Sequence, residues 1–192
     1  MPSFSVNVGV SNKHLHLSPA DLAALFGEGH RLTKTKDLSQ PGQFACAETV
    51  TLIGPKDVLL NVRVLGPERR ETQVELAQTD AVRLGVKAVL RDSGNLDGTE
   101  GLTLEGPHGR VVIPRGVICA QRHLHMSLSE AAEYGLRDQQ IVQCRLDGPR
   151  GGMLHNILVR VRSDFALDLH IDTDEANGLG AKNGDRAAII IE

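Results

Sequence analysis

An internal repeat constrains this chain more than any other feature of its sequence. The segment NKHLHLSPAD (12–21) matches QRHLHMSLSE (121–130), which aligns the first histidine of each HLH motif, His14 and His123, at an offset of 123 − 14 = 109. Chance similarity between two short β segments is the alternative. It accounts poorly for a shared HLH motif followed in both copies by the same helix-start pattern, so we infer that one unit was duplicated.

A second pair of segments extends the repeat. QVELAQTDAVRLG (73–85) resembles LHIDTDEANGLG (169–180), and the alignment that places Glu75 against His170 also aligns Gly85 with Gly180, the last residue of each segment. Each half therefore contains an HLH motif and, later in the chain, one further residue that can bind a metal.

Each HLH motif is followed by the signature of a helix N-terminus. Ser18 precedes Asp21 by three residues, and Ser127 precedes Glu130 by the same spacing, as in a capping box. Pro19 occupies the position that proline favours at the start of a helix. A helix is therefore expected after each HLH motif.

The periodicity of the hydrophobic residues and the positions of the turn residues predict a β-rich chain with a few short helices. Aromatic residues make up 3% of the chain and Trp is absent, so we expect an aliphatic core. The polar, glycine-rich stretch 91–101 is expected to be a linker. The predicted strands are 5–10, 47–53, 57–65, 72–76, 102–106, 110–113, 116–120, 140–147, 153–162, 167–172 and 186–191.

Charge and cysteine content exclude several classes of protein. The formal net charge is −3, which argues against nucleic-acid or membrane-surface binding. Three cysteines, Cys46, Cys119 and Cys144, form no paired spacing, and we expect them to be reduced thiols in an intracellular protein. The sequence shows no signal-peptide pattern and no apolar run long enough to span a bilayer.

The HLH motifs are candidates for metal binding. Alternate residues of a strand point to one face, so an HxH pair can direct two imidazoles at one ion. Zinc in catalytic sites takes three protein ligands and leaves one position open. We therefore expect two metal sites, each with one HLH motif and one residue from the second repeated segment. The alternative is that these histidines pack on strands or lie at the surface. That alternative is our interpretation of the isolated residues His30, His108 and His155.

Arginines cluster shortly before Glu75, in the segment VRVLGPERRETQVE. A guanidinium group matches the geometry of phosphate and can bind it through two hydrogen bonds. Arg69 lies six residues before Glu75, which lets it reach the same pocket. We expect Arg70, like Lys34, to lie on a solvated surface.

The sequence resembles the phosphate propanoyltransferases of the PduL type, which are associated with bacterial microcompartments that degrade 1,2-propanediol. The resemblance covers nearly the whole chain. Motifs that carry it include VGVSNKHLHLS, LTKTKDLSQPGQFACAETV, NVRVLGPERRETQVE, RDSGNLDGTEG, GVICAQRHLHMS and HIDTDEAN. It implies two tandem closed antiparallel β-barrels capped by short α-helices. Residues 13–120 would form the first barrel, and residues 1–12 plus 121–192 would form the second, with the N-terminal strand in the C-terminal barrel.

The resemblance also implies a dinuclear zinc site between the barrels and assigns residues to it. One zinc would be held by His14, His16 and Glu75, and the other by His123, His125 and His170. Arg69 would bind phosphate. The residues expected to contact coenzyme A are Ser11, Asn12, Lys13, Lys56, Arg63 and Asn177.

The implied activity is a reversible transfer of a propanoyl or acetyl group from coenzyme A to inorganic phosphate. We expect phosphate to attack the thioester directly, since no activated protein nucleophile stands out. The resemblance suggests a homo-oligomer located in the bacterial cytoplasm or in a microcompartment lumen, with shell or core enzymes as further partners. Only seven residues precede the first motif at Val8, so the amphipathic extension of encapsulated members is not visible.

Two other functions fit the histidine pattern. A cupin-like oxygenase would hold one iron with two histidines and a carboxylate. A structural component would bind zinc for stability alone, in sites closed by four protein ligands. Metal identity and the number of ligands distinguish these alternatives from a transferase.

Overall fold

The computed structural model describes residues 3–191, and these residues divide into two compact units. The N-terminal unit comprises Asn12–Leu38 and Gly42–Ala120. The C-terminal unit combines the described parts of Met1–Ser11 and Gln121–Glu192 with the short segment Ser39–Pro41. The first strand of the chain thus belongs to the same unit as its last strand.

Within residues 3–191 the chain forms fourteen strands and four short helices. In chain order these are β1 (Ser3–Ser11), β2 (His14–His16), α1 (Pro19–Phe26), β3 (Lys34–Asp37), β4 (Phe44–Ile53), β5 (Val58–Gly66), β6 (Gln73–Glu75), α2 (Gln78–Leu84), β7 (Val89–Arg91), β8 (Glu100–Glu105), β9 (Arg110–Ala120), β10 (His123–Met126), α3 (Leu128–Tyr134), β11 (Ile141–Leu146), β12 (Gly152–Val161), β13 (Asp168–Asp172), α4 (Thr173–Leu179) and β14 (Arg186–Ile190).

Each unit is a closed β-barrel, as the resemblance implied. In the C-terminal unit the described strands close in the order β1-β13-β10-β12-β11-β14. In the N-terminal unit β4, β5, β2, β6, β9 and β8 are joined in a ring, because β8 pairs with both β4 and β9. Strands β3 and β7 extend this sheet at β4 and β9. The prediction of a mainly β fold with two barrels and short helices is confirmed.

The strand that precedes each HLH motif pairs outside that motif's own barrel. Strand β1 comes before β2 in the chain, yet it pairs in parallel with β13 and antiparallel with β14. Strand β9 comes before β10, yet it pairs with β6, β7 and β8 of the N-terminal unit. The duplication is therefore also visible in the strand pairing. Strand β6 pairs in parallel with β9, and β13, its counterpart in the repeat, pairs in parallel with β1.

Alternation of buried and exposed residues builds an aliphatic core in each barrel. Along β1, the buried Val6 and Val8 alternate with the exposed Ser5 and Asn7, which is the period-2 pattern of a strand with one face in the core. The core of the N-terminal unit contains mainly Leu and Val, and the C-terminal core contains mainly Val, Leu, Ile and Ala. The expectation of an aliphatic core is confirmed.

Both predicted helix starts are present. Helix α1 begins after Ser18, whose side chain accepts a hydrogen bond from the Asp21 backbone N–H, and Pro19 is its first residue. Helix α3 begins after Ser127, which forms a complete capping box with Glu130. Capping satisfies backbone N–H groups that have no partner inside the helix. It therefore fixes where each HLH strand ends.

Two strand-level predictions and the predicted linker were wrong. The segments 110–113 and 116–120 form one strand, β9, which continues through Pro114. The predicted ranges also omit β2, β3, β7 and β10; in β3 all four residues, KTKD, are exposed, so no hydrophobic alternation marks it, and β2 and β7 have only three residues each. The stretch 91–101 does not join the two units but lies wholly inside the N-terminal unit, where residues 92–99 connect β7 to β8.

Across the described part of the chain, every helix is too short or too polar to cross a membrane.

Candidate metal centres

The first HLH motif and Glu75 form a compact cluster in the N-terminal unit. Strand β2 runs antiparallel to β6, and their register places His14 directly opposite Glu75. His16 lies two residues further on the same face of β2. One ligand atom from each of the three residues lies within 4.8 Å of the other two. We refer to His14, His16 and Glu75 as the N-cluster.

The second HLH motif forms the equivalent cluster in the C-terminal unit. Strand β10 runs antiparallel to β13, with His123 opposite His170. The ligand atoms of His123, His125 and His170 again lie within 4.8 Å of one another, and the Nε2 atoms of His123 and His125 are 2.7 Å apart. These three residues are the C-cluster. The repeat thus places its matched residues in the same cross-strand positions.

In each cluster the first histidine is oriented by a backbone carbonyl. The Nδ1–H of His14 donates to the Asn12 carbonyl oxygen at 2.8 Å. The Nδ1–H of His123 donates to the Gln121 carbonyl oxygen at 2.7 Å. A carbonyl only accepts, so Nδ1 carries a proton, and Nε2 is the nitrogen that remains to bind a cation. Metal-binding histidines commonly show this arrangement, and the donor sets therefore fit zinc.

Charge coupling within the N-cluster favours a bound cation. Burial opposes protonation of His14, but the Glu75 carboxylate, 3.5 Å from His14 Nε2, raises the pKa of His14. Burial also opposes ionisation of Glu75, yet the positive charge on His14 holds the Glu75 pKa well below its usual value. Burial, with the nearby Arg69 cation, lowers the pKa of His16 to about 3, so His16 is a neutral imidazole. The cluster thus offers a neutral imidazole, a carboxylate and a histidine whose proton a metal can replace.

Arg69 lies beside the N-cluster, within range to affect the pKa values of all three of its members. Its backbone N–H donates to the Leu17 carbonyl oxygen at 2.9 Å, which anchors the residue next to the HLH strand. Its Nη1 donates to Ser93 Oγ at 2.8 Å, and Ser93 Oγ donates to Glu75 Oε1 at 3.1 Å. One hydroxyl therefore links the arginine to a candidate metal ligand.

The basic residue before each HLH motif forms an ion pair. Lys13 Nζ lies 3.4 Å from Asp80 Oδ2, and Arg122 Nε lies 2.6 Å from Glu175 Oε1. Asp80 and Glu175 are equivalent in the repeat, because they are separated by the same offset as Glu75 and His170 (175 − 80 = 170 − 75). These pairs tie the strand that carries each HLH motif to the helix after the third cluster residue.

The other residues expected to contact coenzyme A are spread over both units. Arg63 pairs in register with His14 across β5 and β2, and its Nη1 donates to the Cys46 carbonyl oxygen at 2.8 Å. Lys56 lines a surface cleft of about 380 Å³ in the N-terminal unit, together with Lys87. Ser11 pairs with Asp172 in the C-terminal unit. Of the remaining two, Asn12 precedes β2 and Asn177 is exposed on α4.

Three polar residues beside the clusters were missed by the sequence analysis. Gln73 and Asp168 lie two residues before Glu75 and His170, on the same strand faces, so the repeat alignment could have identified them. Ser93 lies in the stretch that was predicted to be a linker, and no spacing or periodicity connects it to Glu75. Its position depends on the path of the loop.

His30 lies outside both clusters. Its Nε2 is 2.9 Å from Glu48 Oε1, and Glu48 also accepts two hydrogen bonds from the Thr33 backbone N–H. These bonds lower the pKa of Glu48 although its burial acts in the opposite direction. These hydrogen bonds connect strand β4 to the loop before β3, which is a structural role.

Comparison with known proteins gives a consistent result. Residues 7–182 match the sequence model of a family described as phosphate propanoyltransferase. The chain is 53% identical over 184 residues to a phosphate propanoyltransferase of Thermotoga maritima, an alignment that covers 95% of this chain and 88% of that protein. It is 54% identical over 182 residues to one from Rhodopseudomonas palustris, covering 95% and 80%. A third, from Rhodobacter capsulatus, is 50% identical over 178 residues, covering 93% and 83%.

Proposed function

The chain belongs to the phosphate propanoyltransferase family, and from that membership we propose that it transfers a propanoyl group between coenzyme A and inorganic phosphate with one zinc ion at each cluster. The observation that carries this proposal is the pair of three-residue clusters at matched positions of a duplicated scaffold. Acetyl-CoA is proposed as a second substrate, because one methylene changes binding by only about 1–3 kcal/mol.

The proposed zinc ligands are the six cluster residues. His14, His16 and Glu75 offer two nitrogens and a carboxylate oxygen, and the C-cluster offers three nitrogens. Zinc binds both ligand types, and three protein ligands leave a position for substrate. When bound, zinc supplies a Lewis acid that polarises a carbonyl group and stabilises a thiolate.

Arg69 is proposed to bind the phosphate substrate. Its guanidinium is held beside the N-cluster by the hydrogen bond to Ser93 and by the backbone bond to Leu17. A guanidinium held in one orientation binds phosphate without first losing side-chain entropy. The residues proposed to contact coenzyme A are Ser11, Asn12, Lys13, Lys56, Arg63 and Asn177.

We propose that the transfer is a single displacement. An oxygen of phosphate forms a bond to the thioester carbonyl carbon, the carbon–sulfur bond breaks, and its electron pair leaves with the coenzyme A sulfur. Burial raises the pKa values of Cys46 and Cys144 to about 11, so neither thiol is a ready nucleophile. Cys119 is buried as well. Ping-pong kinetics, or an acylated residue trapped with propanoyl-CoA alone, would refute this step.

The proposal is tested by following thiol release from propanoyl-CoA with and without phosphate, before and after chelation. We expect release only when phosphate is present, loss of activity after chelation, and recovery when zinc is returned. Full activity in metal-free protein would contradict the role of zinc. Activity restored by iron but not by zinc would favour an iron enzyme instead. A protein that binds zinc yet never releases thiol would be a structural zinc protein.

A further inference from the structure

The loop that carries Arg69 is held against the end of the first HLH strand. This loop, residues 67–72, joins β5 to β6. The Arg69 backbone N–H donates to the Leu17 carbonyl oxygen at 2.9 Å. At the last residue of the loop, Thr72 Oγ1 accepts a hydrogen bond from the Ser18 backbone N–H, also at 2.9 Å. The loop is therefore bonded at its third and its sixth residue to consecutive residues of the HLH segment.

The Thr72 side chain is bonded into the N-cap of helix α1. Thr72 is 2% exposed, and a hydroxyl buried this deeply requires hydrogen-bond partners. It accepts from the Ser18 backbone N–H and donates to Asp21 Oδ2. The Ser18 hydroxyl donates to the same Asp21 oxygen at 2.9 Å and accepts from the Asp21 backbone N–H at 3.1 Å. Thr72 thus joins the loop to the two residues that cap the helix.

The same junction forms in the C-terminal barrel without a side chain from the loop. The equivalent loop, residues 162–167, also has six residues, and Leu167 takes the position of Thr72 at the 95-residue offset (167 − 72 = 170 − 75). There Glu130 Oε2 accepts from the Ser127 backbone N–H at 2.8 Å. Glu130 Oε1 accepts from the Leu167 backbone N–H at 3.3 Å. Formation of the junction therefore does not itself require a hydroxyl in the loop.

The two loops also differ in the residue at their third position. Arg69 is half-buried and lies close enough to the N-cluster to affect its pKa values. In the other loop this position holds Asp164, which is exposed and pairs with Arg162 at 2.7 Å. The backbone bond to the HLH segment shifts as well, since Arg162, the first residue of its loop, donates to the Met126 carbonyl oxygen at 3.1 Å. The loop hydroxyl occurs in the barrel whose loop presents an arginine to its cluster.

We propose that Thr72 is a positioning residue for Arg69. Its two hydrogen bonds fix the end of the loop, and the bond between Arg69 and Leu17 fixes the middle, so the backbone that carries the guanidinium has one conformation. Phosphate then binds without first having to order the loop. Ser93 orients the side chain of Arg69, and Thr72 orients its backbone. This inference rests on the proposed role of Arg69 in binding phosphate.

The test compares Thr72→Val with Thr99→Val by steady-state thiol release. Valine keeps the shape of threonine and removes the hydroxyl. We expect Thr72→Val to raise the phosphate KM about fivefold to tenfold, while the KM for propanoyl-CoA changes less than about twofold. A loss of general stability would not separate the two substrates in this way.

Thr99→Val is the matched control. Thr99 is also buried in the N-terminal barrel, and its hydroxyl likewise has two bonds, accepting from the Gly116 backbone N–H and donating to the Leu96 carbonyl oxygen. Gly116 lies against the Thr72 carbonyl oxygen, so the control perturbs the same region but keeps both bonds of the Thr72 hydroxyl. It should leave both KM values within about twofold of the wild type.

Two further variants complete the series. Thr72→Ser restores the hydroxyl and loses one methyl, so it should return the phosphate KM to within about twofold of the wild type. Circular dichroism should show that each variant is folded. If Thr72→Val does not fold, Thr72→Ala replaces it, because the smaller side chain lets water reach the Ser18 N–H without joining the loop to the cap. It should raise the phosphate KM in the same direction.

Hydrogen exchange of the Arg69 backbone amide reports on the loop without turnover. This amide is bonded to the Leu17 carbonyl oxygen, and release of the loop exposes it to solvent. In Thr72→Val it should exchange about tenfold faster than in the wild type. In Thr72→Ser and Thr99→Val its exchange should stay close to the wild-type rate.

The inference and the proposed function fail in different ways. A wild type that releases thiol without phosphate, or an Arg69→Ala variant with a normal phosphate KM, would contradict the proposed function. A raised phosphate KM in Arg69→Ala, together with an unchanged KM and amide exchange in Thr72→Val, would overturn only the positioning role. Equal rises in both valine variants would overturn it as well, as would a serine variant no better than the valine variant.

Discussion

Replacing Ser93 by alanine tests how the N-cluster is held together. The Ser93 hydroxyl accepts hydrogen bonds from Arg69 Nη1 and Gln73 Nε2, each at 2.8 Å, and donates to Glu75 Oε1 at 3.1 Å. Two of these three bonds involve a charged group. A charged bond contributes about 1.5–3 kcal/mol to stability and a neutral one about 0.5–1.5 kcal/mol.

The three bonds share one hydroxyl, so their contributions do not add. We expect Ser93→Ala to lower the free energy of unfolding by about 2–3 kcal/mol, the scale of one charged bond plus part of a second. Arg69 also loses its side-chain anchor. Loss of one such orienting bond should raise the phosphate KM about tenfold, whereas the KM for propanoyl-CoA should change less than about twofold.

The assays are chemical denaturation and steady-state thiol release with phosphate varied. Thr35→Val is the matched control, since it also removes one hydroxyl from the N-terminal unit. That hydroxyl is exposed and bonds only to the Ala45 carbonyl oxygen among the hydrogen bonds described for its side chain. An unchanged phosphate KM in a destabilised Ser93→Ala would refute the link between Ser93 and Arg69. If Ser93→Ala and Thr35→Val change the stability and the phosphate KM equally, the cause would be a general loss of stability and not the loss of the bond to Arg69.

Three further predictions concern separate parts of the chain. Arg69→Ala should raise the phosphate KM by about tenfold or more and leave zinc content unchanged, since Arg69 is not a proposed ligand; zinc loss, measured by elemental analysis, would show that the residue is misplaced. Glu48→Gln should make the free energy of unfolding depend less on pH in acid. The lowered pKa of Glu48 gives stabilisation that is present above its ordinary pKa of 4.5 and is lost as pH falls through the folded value. Denaturation curves over a pH series that match those of the wild type would contradict this. Gly101→Ala should destabilise the N-terminal barrel by about 2–4 kcal/mol, since the new methyl would overlap the Ile113 carbonyl oxygen of the neighbouring strand; a melting temperature within about 2 °C of the wild type would show that β8 and β9 can move apart to accept the methyl.

The repeat made the cluster residues predictable from sequence. Once the two copies are aligned, His14 and His123 occupy one position of the scaffold and Glu75 and His170 occupy another. Duplication preserves strand pairing, so the cross-strand contact in one barrel implies the same contact in the other. The two barrels themselves came from the family resemblance, because strand periodicity indicates β-structure without indicating how a sheet closes.

The supporting residues were harder to predict, for physical reasons. Ser93 reaches Glu75 from a polar, glycine-rich loop, and such a loop has no periodicity that reports its path. Strand β9 continues through Pro114, where two separate strands, 110–113 and 116–120, were predicted; its neighbour β8 shifts register between Glu100 and Leu102 at this level. Proline is tolerated where a sheet is irregular, since it lacks only one ladder hydrogen bond.

The most direct test counts zinc ions in the purified protein and in two single variants, His14→Ala and His123→Ala, which change equivalent positions of the repeat. If the six cluster residues form two independent zinc sites, the wild type should hold two zinc ions per chain and each variant one. A wild type with fewer than two, or a variant that keeps both, would contradict the account.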